Sequence, residues 1–423
     1  MSQPRRVAIM LDLEWPYKRH AETYAGVQRY AQEHDWDSFI DEYAGDSLPA
    51  RRGRAVPYDG VIARANQKLA RRAKHLGVPV VNSWFSSPVW KSLPGVFPDY
   101  QAIGRMRAEH LLARGFRRFA AVVAAEDRAQ RTELAAFCQL IAETGYDCTT
   151  SEVPLDPNSS LTQWRETQRA MSTCIKRWKP PIGVYVGSES DGRMVAQVCR
   201  HEGWRVPEDV AIIAGWNEET YCEHLSPTLT SVEIDCERVG YEAARLLDEL
   251  MDEADARQTR GKKAKPNKKD NDKQDPDAAK ADQPAEPRHI LMPPRGLVVR
   301  ESTDFFAVEN EVLRAALEYI AANCSEKIRP ADVAKATSVE PRTLQRRFKK
   351  YLGRGIGTEI RRVRLERAKR ELAQTDRTIA SISHHVGFGP PMRMYEVFCR
   401  ELGVTPSEYR RQRQSELGET SSA

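Results

Sequence analysis

The sequence predicts a two-lobed α/β domain followed by an all-α domain with two helix-turn-helix units, and three observations lead there. Between Val7 and about Asp235, short apolar runs rich in β-branched residues alternate with longer amphipathic stretches. Further on, Leu344, Phe348, Leu352 and Gly353 recur fifty positions later as Met394, Phe398, Leu402 and Gly403. Basic charge collects around that repeat: residues 305–423 hold 22 Lys and Arg against 15 Asp and Glu, a balance of +7, although the whole 423-residue chain stands at +5. The expected organisation is an α/β domain over 1–304, a helical domain over 305–412 and a disordered tail over 413–423.

In the α/β part the candidate strands are VAIMLDL from Val7, DGVIARA from Asp59, VPVVNSWF from Val78, RFAAVVAAE from Arg118, IGVYVGSE from Ile182 and DVAIIAGW from Asp209. Helical stretches such as AETYAGVQRYAQEH from Ala21 and QAIGRMRAEHLLARG from Gln101 separate them. Continuous apolar strands spaced by helices specify parallel sheets covered on both faces. Residues 255–288 contain no Leu, Ile, Val, Met, Phe, Tyr or Trp. Such a stretch cannot bury enough surface to offset the entropy of ordering, so a disordered loop is expected there. HILMPPRGLVVREST, which follows, reads as a further strand pair that the α/β domain still needs, so the loop lies inside that domain and the boundary falls near Asp304.

In the helical part each copy of the repeat is an apolar stripe closed by a glycine cap. A shorter apolar segment precedes it: Val333, Ala334 and Val339 in copy one, Ile382, Ser383 and Phe388 in copy two. That is the layout of a helix-turn-helix. Pro341 suits a first helical turn. Arg342, Thr343, Gln345 and Arg346 then face outward near the end that reaches base edges, where Arg suits guanine and Gln suits adenine. Copy two carries Pro390 and Pro391 at its helix start, with Met392, Arg393 and Glu396 outward. Glu396 can accept from a cytosine amino group. GTEIRRVRLERAKRELAQT, from Gly357, is a strong helix joining the copies, with apolar Ile360, Val363, Leu365, Ala368 and Leu372. Two units on one such helix can set two recognition helices into successive major-groove turns, about 34 Å apart. Residues 340–371 carry 12 basic and 4 acidic side chains, which suits a phosphate backbone. Double-stranded DNA is the expected partner.

Other function classes find less support. The eight cysteines form no C-x-x-C pair and have no His at ligand spacing, and His384 and His385 are helix neighbours that cannot both face one metal. Neither a metal nor a cofactor is expected. The α/β part has no G-x-G-x-x-G after its first strand, no G-x-x-x-x-G-K-[ST] and no G-x-S-x-G elbow, so a non-enzyme is expected. No run is apolar enough to span a bilayer, and the start, MSQPRRVAIMLDLEWP, turns acidic where a signal peptide stays apolar, which points to the cytoplasm.

Polar and aromatic residues gather at the predicted strand ends: Trp15 and Tyr17, Arg64, Trp84 and Phe85, Glu189 and Asp191, then Trp216, Asn217 and Glu218. Flat aromatic faces beside carboxylates, amides and an Arg suit a sugar ring, with its apolar C–H faces and belt of hydroxyls. A small-molecule effector, a sugar or sugar derivative, is expected where strand C-termini of the two lobes meet.

Gly387, Phe388, Phe398, Gly403, Thr405, Pro406, Tyr409 and Arg410 resemble the signature that ends the DNA-binding domain of the AraC family of transcription regulators. The resemblance implies base contacts from Arg342, Gln345 and Arg346. In the second helix the corresponding positions are Pro391, Met392 and Glu396, with Arg393 as a substitute. VFPDYQAIGRMRAEHLLARGFRRFAAV from Val96, VPEDVAIIAGWNEE from Val206, SPTLTSVEID from Ser226 and LMPPRGLVVREST from Leu291 resemble the periplasmic-binding-protein-like sensor of the LacI/GalR class. That resemblance implies a ligand contact from the region of Arg128 or Arg131. Proteins of this arrangement usually carry an Asp directly before the Asn of GWNEE, where it holds sugar hydroxyls; here Trp216 stands there. Together the resemblances imply a ligand-responsive regulator of a sugar-utilisation operon, an activator and a homodimer through its α/β half. Ligand closes the lobes and shifts promoter affinity by about 1 to 3 kcal/mol.

Overall fold

The computed structural model describes residues 4–263 and 287–411, except residues 16, 52, 125, 155–159, 225, 308, 309 and 376. The chain forms two compact units. One takes the residues up to Asp99 with Asp127–Ala129 and Asp235–Pro294; the other takes Tyr100–Glu126, Gln130–Ile234 and the chain from Arg295 on.

In chain order the elements begin with β1 (Arg6–Met10), α1 (Lys18–Glu33), β2 (Asp37–Ile40), α2 (Ala44–Ser47), β3 (Gly60–Ala63), α3 (Gln67–Leu76), β4 (Val80–Asn82) and β5 (Gly95–Pro98). Next come α4 (Tyr100–Ala113), β6 (Phe119–Ala124), α5 (Arg128–Glu143), β7 (Cys148–Val153), α6 (Leu161–Ile175), β8 (Ile182–Val186), α7 (Glu189–His201), β9 (Val210–Ala214), α8 (Glu219–Cys222) and β10 (Ser231–Glu233). After α9 (Cys236–Lys263), β11 (His289–Met292) and β12 (Gly296–Val298), the chain turns helical: α10 (Glu311–Asn323), α11 (Pro330–Ala336), α12 (Pro341–Leu352), α13 (Ile356–Gln374), α14 (Ile379–His385) and α15 (Pro391–Leu402).

The first unit holds a parallel six-stranded sheet in the order β11-β5-β4-β3-β1-β2. Successive side chains of β1 enter opposite cores, Val7 and Ile9 on one face and Ala8 on the other, as a strand buried on both faces requires. The second unit repeats this in a four-stranded parallel sheet, β7-β6-β8-β9, where Val184 and Val186 enter one core and Tyr185 the other.

All six expected strands form. Four more form among the described residues: β2 and β7 at sheet edges, and the short β5 and β10. The expected strand pair after residue 288 forms as two strands that do not pair with each other. β11 lies parallel to β5, and β12 runs antiparallel to β10. Pro293 and Pro294 between them have no N–H to close a hairpin ladder.

The reading of 255–288 as a disordered loop requires a correction, because α9 continues through Lys263. Its last nine residues lack large apolar groups, but Ala, Arg, Gln and Lys propagate a helix already nucleated upstream, and Arg257 bonds Glu253 one turn back at 3.3 Å. The rest of that segment, and the tail expected over 413–423, lie outside the described residues. The boundary is expected near Asp304. Phe305 and Ala307 still pack on the β6/β8 core, and the Ala307 N–H donates to the Arg114 carbonyl at 2.9 Å.

Candidate functional site

The two copies of the helical repeat are built alike. α12 and α15 each span 12 residues, each has Pro in its first turn, and each ends in a left-handed glycine, Gly353 at φ 69° and Gly403 at φ 72°. Leu344, Phe348 and Leu352 are buried on the first and Met394, Val397 and Phe398 on the second. The signature residues have local mechanical roles. Thr405 and Glu408 form a reciprocal cap, at 2.7 and 3.1 Å, where the chain turns helical again over 406–411. Tyr409 packs edge-on to Phe398 at 5.6 Å. Gly387 sits at φ +88° in the turn before α15, and a Cβ there would stand 2.1 Å from the Cys324 carbonyl oxygen.

On α12, Arg342 and Arg346 are exposed as expected, with Lys349 and Lys350 beyond them. Thr343 is half-buried and donates its N–H to the Glu340 carboxylate at 3.2 Å, capping the helix. Gln345 differs from its expected outward role. Its Oε1 accepts the Ile356 N–H at 3.2 Å, so it holds the start of α13 against α12. On α15, Met392 (65 % exposed), Arg393 and Glu396 face outward, and so does Tyr395 (46 % exposed), which sequence reasoning missed. Its spacing of three from Met392 was the available signal.

The linking helix α13 touches α10, α12, α14 and α15. At 1.5 Å per residue its 19 residues span about 28 Å. Part of the basic field counted above is spent on holding it. Glu359, fully buried in its first turn, pairs with Arg354 and with Arg362 at 2.7 Å. Arg364 donates to the carbonyls of Cys324 and Glu326, and Arg367 to the Ala321 carbonyl and the Ser325 hydroxyl, which ties α13 to the end of α10.

In the first unit an aromatic and cationic cluster forms at the strand ends. Arg64 follows β3, and its guanidinium lies 4.7 Å from the Trp84 ring centre and 5.5 Å from that of Trp15. Trp15 also meets Tyr17 (4.7 Å) and His20 (4.5 Å). Buried Asn82 ends β4 and bonds both the N–H and the carbonyl of Trp84, fixing that turn. Burial, with Arg64 and Arg19 nearby, pushes His20 down to about 4 against the pull of the Asp12 carbonyl. The neutral ring therefore donates from Nδ1 to Asp12 and accepts from Arg64 at Nε2, 3.2 Å away, which orients the guanidinium. Arg128 stands over the Trp90 ring at 4.4 Å. Sequence reasoning missed His20 and Trp90.

In the second unit the expected residues mostly shape a loop. The Glu189 carboxylate accepts the N–H groups of Trp216 (2.5 Å) and Glu218 (3.1 Å). It lies so close to Gly215, at φ +60°, that a Cβ there would stand 1.9 Å from its carboxyl carbon. Trp216 is 7 % exposed, and its indole N–H donates to the Glu133 carboxylate at 2.7 Å. Glu133 also accepts from the Tyr185 hydroxyl (2.9 Å) and pairs with Arg107 (3.1 Å), which in turn donates to the Gly215 carbonyl. Asn217 accepts from Arg300 (2.7 Å) and Ser231 and donates to Glu233. Asp191 is buried, with Oδ2 bonded to Ser188 and no hydrogen bond to Oδ1 among the described residues. Burial raises its pKa, with Glu189 adding and Ser188 opposing. Arg107, Glu133, Tyr185 and Arg300 carried no sequence signal, since contacts between distant positions create their roles.

Comparison with known proteins fits these geometries. Residues 108–267 match the model of the periplasmic binding protein-like domain, and 333–412 match that of a helix-turn-helix domain. The chain is 27 % identical over 414 residues to the xylose operon regulatory protein of Escherichia coli K12, covering 96 % of each, and 23 % identical to that of Haemophilus influenzae, covering 96 % and 98 %. A solved structure of a xylose-binding transcription activator shares the fold over 97 % of this chain and 99 % of that one, with TM-score 0.53 and 23 % identity. Among the described residues no helix is long and apolar enough to cross a membrane. The chain thus joins a periplasmic-binding-protein-like domain to an AraC-type helix-turn-helix domain, and over nearly its whole length it is similar to xylose operon regulatory proteins.

Proposed function

We propose that this chain regulates transcription from a sugar-utilisation promoter: α12 and α15 bind DNA, and a pentose or related sugar on the α/β part alters that binding. It works in the cytoplasm as a homodimer and activates. The observation that carries the reading is the pair of matched helices on one rigid spacer, with Arg342 and Arg346 exposed on the first. The xylose regulators above support the effector class. Tyr17, Arg64, Trp84 and Arg128 supply stacking faces and donors. In the second unit Glu189 holds the loop that carries Trp216 and Asn217, and Asp191 stands beside Glu189 in the first turn of α7. Titration calorimetry of the full chain with pentoses and hexoses tests the effector, and a chain that binds none of them lacks it.

Arg342→Ala and Arg346→Ala should each cost about 1 to 3 kcal/mol of DNA affinity and relax preference at one base pair. Binding assays on a set of single-base variants check this; equal weakening on every sequence makes them phosphate contacts. A second expected effect concerns coupling. Arg117 donates to the Tyr351 carbonyl (2.8 Å), in the last turn of α12, while its guanidinium lies 5.3 Å from the Tyr146 ring. Arg117→Ala should leave sugar affinity intact and shrink the sugar-dependent change in DNA affinity, measured by fluorescence anisotropy with and without sugar. An undiminished change removes Arg117 from the route.

A further inference from the structure

The fifty-residue offset aligns the outward faces of the two recognition helices residue by residue. Met392 takes the place of Arg342, Tyr395 that of Gln345 and Glu396 that of Arg346. The chemistry changes sign. Copy one presents two guanidinium groups, donors only, which match the guanine O6 and N7 acceptors. At the same three positions copy two presents an exposed thioether chain, an exposed phenol ring and a carboxylate that only accepts, with exposed Arg393, where copy one has half-buried Thr343, as its guanidinium on that face. Met392 and Tyr395 are large apolar side chains left open on a helix whose other face is fully packed.

In the major groove, apolar side chains have one strong partner, the thymine 5-methyl group, and a carboxylate can accept from two amino groups, cytosine N4 and adenine N6. The methyl group and the cytosine amino group lie on pyrimidines. Guanine offers only acceptors, O6 and N7, and adenine sets its N6 amino group beside the N7 acceptor, so a purine would meet Glu396 with like polarity and leave Met392 without a contact. Resting on the DNA-binding reading above, we propose that α15 reads pyrimidines: Met392 and Tyr395 contact thymine methyl groups and Glu396 accepts from a cytosine amino group. The operator is then asymmetric within each protomer's site. Its half under α12 contains guanine, and its half under α15 contains a T/C run on the contacted strand.

The experiment selects preferred duplexes from a random pool with the full-length chain and assigns the α12 half as the one whose preference relaxes in Arg342→Ala. Each thymine of the other half is then replaced by deoxyuridine, which removes the methyl group and nothing else. Loss of one buried methyl should weaken binding about fourfold, and Met392→Ala should abolish that sensitivity at the thymine it contacts while leaving it at the thymine under Tyr395. Glu396→Gln should shift the matching position from cytosine toward adenine, because an amide pairs with adenine N6 and N7. Both substitutions fall on exposed side chains, so the core beneath is untouched. A purine-rich second half, or deoxyuridine without effect on the wild type, overturns the proposal while DNA binding stands. Failure to enrich any duplex overturns both.

Discussion

Glu133→Gln should destabilise the chain by about 3 to 5 kcal/mol, because it strips the charge from one member of a fully buried ion pair. Arg107 and Glu133 are both 0 % exposed. A neutral amide leaves the guanidinium without a counter-charge, and two Arg107 nitrogens already make no hydrogen bond among the described residues. The amide must also offer an NH2 group where Tyr185 or Arg107 now donates. The damage should be local to the effector lobe, since Glu133 holds the Trp216 indole and Arg107 holds the Gly215 carbonyl. Urea unfolding measures the loss, and sugar titration of the surviving folded protein should show weakened binding. A variant as stable as wild type would mean that the pair contributes no net energy.

Glu359→Gln should cost a similar amount, about 3 to 5 kcal/mol, by leaving Arg354 and Arg362 half-buried beside a neutral group. Its consequence falls on DNA binding. Arg354 follows α12 and Glu359 starts α13, so the bond sets the angle at which the spacer leaves the first recognition helix. A pH signature follows. Burial alone would raise the Glu359 pKa, but Arg362 and Arg354 outweigh it and hold the group below its ordinary value. An unfolded Glu titrates near about 4.3. The stabilisation is thus complete above that pH and disappears as pH falls through the lower, folded value. The gap between wild type and Glu359→Gln should therefore be constant near neutrality and close in acid. A gap that persists in acid would assign the loss to packing.

How much of this was legible depends on the range of the contact that creates each feature. The six buried strands and the two helix stripes announce themselves through local periodicity, and Gly353 and Gly403 through cap chemistry. β7 escaped because CTTSEV lies at a sheet edge with mostly polar, exposed side chains, and β2 because DSFI is four residues long with Phe39 and Ile40 turned to solvent. Gln345 faces outward by helical spacing, yet the chain returning at Gly355 and Ile356 captures it. The basic run of 340–371 looked uniform in sequence. Folding assigns Arg354, Arg362, Arg364 and Arg367 to helix anchoring and leaves Arg342, Arg346, Lys349 and Lys350 exposed. Trp216 was visible as a departure from the usual Asp. Its partner Glu133, 83 positions away, was not.

The central claim is that α12 and α15 read DNA as one body held by α13. Hydroxyl-radical footprinting of the full chain on its selected duplex tests it most directly. Two protected patches on one face, one helical turn or about 10 base pairs apart, are expected, both fading together when either half is scrambled. A single patch, unchanged in depth when the neighbouring turn is scrambled, would contradict it.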